Sequence, residues 1–89
     1  MTTNDILTVL KTDLEVSTDS RDEYLNNLIK LAEAAITTEG ITLEDTVEDG
    51  MLVATYAAFL YRKRRENVSM PRSLRYLLNN RLLSQKARS

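Results

Sequence analysis

With 89 residues and neither cysteine nor histidine, the chain has room for a single hydrophobic core and excludes disulfides, thiolate and imidazole zinc sites, cysteine nucleophiles and histidine-based triads. A domain of this size buries roughly 60 to 65% of the surface its unfolded chain exposes; with disulfides and metals set aside, self-association is the expected way to complete so small a core. The net charge of −1 conceals an asymmetry: residues 1 to 50 hold twelve acids against Lys11, Arg21 and Lys30, whereas residues 51 to 89 hold nine bases against Glu66 alone.

Such asymmetry has three readings: a basic surface for nucleic acid, complementary patches that attract neighbouring copies, or charge balance within one fold. No apolar run approaches the ~20 residues of a membrane span. The start, Met1-Thr2-Thr3-Asn4-Asp5, lacks the basic-then-apolar layout of a signal peptide. The expectation is an intracellular protein with no membrane partner.

The first helix is expected from Thr3, as N-cap, to about Thr12, with Ile6, Leu7, Leu10 and Leu14 at helical spacing. Thr12 to Ser20 reads as a polar connector. Ser20 followed by Glu23 has the form of a capping box and predicts the start of a second helix. From there Leu25, Leu28, Ile29, Leu31, Ala32, Ala35 and Ile36 form one wide apolar stripe. Gly40 is the natural left-handed residue after an end near Thr38 or Glu39.

A third helix is expected from about Asp45, with Glu48 three residues on. Glu44, Asp45, Glu48 and Asp49 lie at the end where the macrodipole favours anions, and Arg62, Lys63, Arg64 and Arg65 at the end where it favours cations. Between them, Met51 to Tyr61 is apolar all round except for Thr55. A helix apolar on every side must be enclosed on every side, so Met51, Leu52, Phe59 and Leu60 are candidate core or interface residues shared with a neighbouring subunit. Pro71 opens a fourth helix with Leu74, Leu77 and Leu78 as its buried stripe. Continued past Asn80, that helix would carry Arg81 along the stripe, so Asn79 or Asn80 is expected to end it. The organisation expected is therefore an all-α bundle of about four helices, residues 1 to 80, followed by a basic C-terminal tail or arm, residues 81 to 89.

Nothing in this order of residues forms a catalytic constellation. The acids Glu44, Asp45, Glu48 and Asp49 have spacing that a magnesium site would need, but helix capping accounts for them more simply. The expectation is a non-enzyme with no cofactor and no metal. Tyr24, Tyr56, Tyr61 and Tyr76 fall at helical core or core-edge positions and read as packing residues rather than base-stacking platforms. The basic candidates for contact are Arg62, Lys63, Arg64, Arg65, Arg72, Arg75 and Arg81; the acidic ones are Glu23, Glu33, Glu44, Asp45, Glu48 and Asp49.

Four stretches in this order carry a likeness: Val9-Leu10-Lys11-Thr12-Asp13-Leu14; Asp22-Glu23-Tyr24-Leu25-Asn26-Asn27-Leu28-Ile29-Lys30-Leu31-Ala32-Glu33; Tyr56-Ala57-Ala58-Phe59-Leu60-Tyr61-Arg62-Lys63-Arg64; and Met70-Pro71-Arg72-Ser73-Leu74-Arg75-Tyr76-Leu77-Leu78-Asn79-Asn80-Arg81. Together they resemble the small head-tail connector (adaptor) proteins of long-tailed bacteriophages and their prophages. The likeness spans nearly the whole chain and lies in helix-packing patterns and their order. It implies a structural virion assembly protein whose copies form a ring, twelve-fold by family analogy, beneath the portal. Its partners would be itself, the portal protein and a tail or stopper protein, with genomic DNA passing through the channel without being read.

The implied location is the host bacterial cytoplasm during assembly and then the virion neck. Within that picture Arg62 to Arg65 would meet an acidic neighbour or portal surface, and the segment Arg81 to Ser89 would be an arm ordered on binding. The alternative reading is a small helical DNA-binding regulator that uses Arg72, Arg75 and Asn79, which share one face of the fourth helix.

Overall fold

The computed structural model describes residues 1 to 88. Its elements are four helices, α1 (Thr3–Asp13), α2 (Asp22–Thr38), α3 (Val47–Glu66) and α4 (Arg72–Arg88), and the described residues contain no strand. None of these helices is long and apolar enough to cross a membrane.

α1 and α3 start on side-chain caps, and three of the four starts lie a residue or two from where composition places them. α1 is capped by Thr2 rather than Thr3. The Thr2 hydroxyl accepts from the Asp5 N–H and the Asp5 carboxylate accepts from the Thr2 N–H, both at 3.1 Å, so Thr2 and Asp5 make the reciprocal box. α2 has no such box. Ser20 and Thr18 hydroxyls pair with each other at 3.1 Å, Arg21 is the N-cap, and no side chain caps the helix. The reason is the turn before it: Lys11 holds Asp19 at 3.0 Å and Asp22 at 2.8 Å, fixing the connector so that Ser20 stays outside the helix. α3 is capped by Thr46, whose hydroxyl accepts from the Asp49 N–H at 3.1 Å. Asp45 is engaged elsewhere, with the Met1 amino group at 2.7 Å.

The ends follow the expected chemistry more closely. Gly40 has φ +99°, which a residue with a Cβ adopts only with strain, and it turns the chain off α2 as anticipated. Asn67, with φ 52°, does the same after α3; asparagine tolerates this conformation better than most residues.

The fourth helix departs most from expectation. It does not end at Asn79 or Asn80 but runs through Arg88, so residues 81 to 88 are its last turns and not a separate tail. Ser89, the last residue of the expected arm, lies outside the described residues.

α3 is the central element and packs against α1, α2 and α4. Ala54, Ala57 and Ala58 are buried there, and such small side chains let neighbouring helices approach closely. Leu10 from α1, Leu25, Ile29 and Ile36 from α2, Ile41 from the following connector, and Leu74 and Leu78 from α4 are the largest apolar side chains fully removed from water. Each contributes about 1.5–3 kcal/mol relative to exposure. This explains the all-round apolar character of α3 from within one chain: Leu52 and Phe59 are buried by its own helices, Leu60 is half-buried, and of the four expected interface residues only Met51 is open to solvent.

Candidate interaction surface and the buried ion pair behind it

Arg81 lies on the buried stripe of α4, where an unpaired cation would be costly. Its partner is Asp49, 32 residues earlier on α3. Nε donates to Oδ1 at 2.6 Å and Nη2 to Oδ2 at 2.9 Å, a two-bond fork between side chains only 5% and 3% exposed. The pair also organises the connector between α2 and α3: Nη2 donates to the Thr42 carbonyl at 2.9 Å, and Asp49 Oδ2 accepts from the Glu44 N–H at 2.8 Å. Burial pushes the Asp49 carboxyl up, but the hydrogen bonds from Arg81 and the Glu44 N–H together with the guanidinium charge outweigh this and hold it below the usual carboxylate range. The Arg81 guanidinium is raised by its hydrogen bonds to Asp49 and remains charged.

One turn further on, Gln85 completes the clamp. Its amide donates to the Gly40 carbonyl at 2.9 Å and its oxygen accepts from the Thr42 N–H at 2.7 Å. Arg81 and Gln85, at i and i+4, thus satisfy three backbone groups of a connector that has no regular partner of its own. Sequence reading missed Gln85 altogether; the only available signal was its i+4 relation to an arginine already on the stripe.

These bonds remove Asp49 and Arg81 from the candidate contact surface, where they were expected. Several other candidates are also engaged within the chain. Arg75 makes a fork to Glu39 at 3.1 and 3.2 Å, Arg62 reaches Asp13 at 3.2 Å, and Arg88 lies 3.6 Å from Glu44. The lopsided charge of the sequence is therefore in good part balance within the fold, since acidic early segments meet basic later ones.

The remaining bases of the run divide by direction, as four consecutive helical positions must. Lys63 lies over Phe59, Arg64 over Tyr24 and Arg65 over Tyr61, and the Tyr61 hydroxyl also accepts from Arg21. Tyr56 is buried and Tyr24 and Tyr61 are half-buried, as expected of packing residues. Tyr76 is not: it is 66% exposed on α4, because it lies across that helix from the Leu74, Leu78 and Arg81 stripe. Among the acids, Glu23 and Glu48 are exposed, Glu33 is half-buried, and Glu44 and Asp45 are the exposed partners of Arg88 and Met1. No three acidic side chains of the described residues gather as a metal would need.

The exposed apolar surface has a clear location. Of seven large apolar residues left open, Val47 and Met51 lie at the start of α3, and Tyr76, Leu77 and Leu83 lie on α4; only Leu31 and Val68 lie elsewhere. Between α3 and α4 runs a groove of about 190 Å³ lined by Glu48, Met51, Leu52, Thr55, Leu77 and Arg81. A second groove of about 180 Å³ lies along the other side of the same strip, between α3 and α1, and shares Met51 and Thr55 with the first. Comparison with protein families, with curated proteins and with solved structures finds no match in any of the three. The class that fold and surface define is a small four-helix bundle with most of its large exposed apolar residues on α3 and α4.

Proposed function

We propose that the chain is a structural assembly subunit, a head-tail connector of the long-tailed phage type that forms a ring on a portal and acts without catalysis or cofactor. The observation that carries this reading is the concentration of exposed Met51, Tyr76, Leu77 and Leu83 along α3 and α4, in a chain whose four connector-like stretches fall one to each helix or its boundary. Clustered exposed apolar residues are a mark of a protein-protein contact; here they make two patches, Met51 with Leu77 at the groove and Tyr76 with Leu83 on the outer side of α4, and a ring needs contacts between unlike patches of successive copies. Genomic DNA would pass through the ring unread, and a tail or stopper protein would be the other neighbour.

The DNA-binding alternative draws less support. Of Arg72, Arg75 and Asn79, Arg75 is held by Glu39, which leaves, among the described residues, only Arg72 of that set without an ion-pair partner for a reading that needs several phosphate and base contacts. The test is molar mass by light scattering across a wide concentration range, with and without portal protein from the same genome. Ring-sized particles or co-migration with portal are expected. A monomer or dimer indifferent to portal, combined with salt-dependent binding to duplex DNA, would overturn the reading in favour of the regulator.

A further inference from the structure

The groove between α3 and α4 has apolar walls from Met51, Leu52 and Leu77, and Arg81 contributes to its lining. Arg81 is itself held from behind by Asp49, so the groove offers an apolar floor and not a free cation. Glu48 stands exposed at the rim of the same groove, at the acidic start of α3.

Tyr76 supplies the opposite features. Its ring is the largest apolar group left open, and its hydroxyl makes no hydrogen bond among the described residues. Arg72 precedes it by one turn on the same side of α4, and no acid lies anywhere on that helix. Successive residues are about 100° apart around a helix; Leu77 faces the groove while Tyr76 faces away from it. A chain therefore cannot fill its own groove with its own Tyr76.

We infer that Tyr76 of one copy docks in the α3–α4 groove of the next, with its ring against Met51, Leu52 and Leu77 and Arg72 beside Glu48. Charge complementarity selects a second copy as occupant: Arg72, one turn from Tyr76, matches Glu48 at the groove rim, whereas the same face of another α4 carries Arg72 and no acid. The contact is head to tail, because knob and groove are different patches, so it propagates into a ring or an open chain. It names the subunit contact within the connector reading and rests on that reading for its biological role, though the docking itself can be tested alone.

The experiment uses the absence of native cysteine. Thr55→Cys on the groove rim and Asn80→Cys one turn from Tyr76 are exposed sites; the two single variants are mixed, with and without portal, and treated with a short bifunctional maleimide. Mixed Thr55→Cys with Asn80→Cys dimers are expected, and the double variant should yield a ladder of multimers. Tyr76→Ala should keep its thermal transition, since the side chain is exposed, yet weaken association on the order of thirtyfold, as loss of an aromatic anchor does. Tyr76→Phe keeps the ring and should associate much as the wild type does.

Cross-links confined to Asn80→Cys with itself would mean a two-fold α4 contact and overturn the proposal. So would wild-type multimers or portal binding that Tyr76→Ala leaves unchanged, a result that spares the connector reading. Failure of the two variants to cross-link at any concentration, with portal present, also overturns it. Tyr76-dependent ladders in a protein that ignores portal would uphold the docking and remove the connector reading.

Discussion

Replacing Asp49 by alanine should be among the most damaging single substitutions available in this protein. It leaves the Arg81 guanidinium, 5% exposed, without its carboxylate and deprives the Glu44 N–H of its acceptor. Removing one member of a buried pair costs about 3–5 kcal/mol. The nearby Glu44 carboxylate, 3.8 Å from Arg81 Nη2, can turn inward and place the expected loss toward the lower end. A chain of 89 residues, at about 0.05–0.15 kcal/mol per residue, has roughly 5–13 kcal/mol in all, so the substitution removes a quarter or more of the total.

Arg81→Met leaves the opposite charge stranded and should cost a similar amount. The double variant buries no charge, so the two effects should fall short of additivity by about 2 kcal/mol or more. Urea unfolding followed by circular dichroism measures all three variants, and hydrogen exchange should show the loss concentrated in α4 and the 40 to 44 connector. An Asp49→Ala variant within about 0.5 kcal/mol of wild type, or strict additivity in the double, would refute the assignment of the pair as what fixes α4.

Acid should act through the same carboxylate. Its folded-state pKa is lowered, so its stabilisation is complete above the unfolded value of about 4 and is lost as pH falls through the folded value; Asp49→Asn should flatten the fall in stability below pH 4, measured by urea midpoints across the acid range. Gly40→Ala should cost about 1–2 kcal/mol, because φ is +99° and an alanine there takes the left-handed penalty; the nearest atom, Leu82 Cδ1, is 3.7 Å from the added carbon, so the loss is of backbone origin and Gly40→Asn should be milder. Thr46→Ala should cost about 1 kcal/mol through loss of the α3 cap, with Thr46→Ser close to wild type. Arg75→Ala removes only an exposed fork to Glu39 and should fall within about 1 kcal/mol, a useful contrast to the buried fork of Arg81.

The helical frame was legible because it depends on short-range pattern. Apolar spacing in α1 and α2, Gly40 after α2 and Pro71 before α4 each carry their meaning within a turn or two. The helix starts were less so. Ser20 and Glu23 have the form of a capping box, but Lys11, reaching across from α1 to Asp19 and Asp22, sets the turn instead, and no window around Ser20 contains that information.

Arg81 shows the same limit more sharply. A cation on an apolar stripe is a sound reason to end a helix unless a buried anion meets it, and Asp49 lies 32 residues away in a run of four acids that capping alone seemed to explain. The over-apolar α3 was a correct signal of enclosure, met by α1, α2 and α4 for most of its circumference. What remains open on it, Met51 and its neighbours, is a smaller patch than Met51, Leu52, Phe59 and Leu60 together. Tyr76 was misplaced because the fourth-helix stripe was drawn through Leu77; the stripe instead runs through Leu74, Leu78 and Arg81, which turns Tyr76 outward.

The central claim is that this bundle works by assembling on a portal. Electron microscopy of purified portal particles, before and after mixing with the protein, tests it most directly. The account predicts an added ring of density at one end of the portal, lost or depleted with Tyr76→Ala. Portal particles unchanged by saturating amounts of the folded wild-type protein would contradict it.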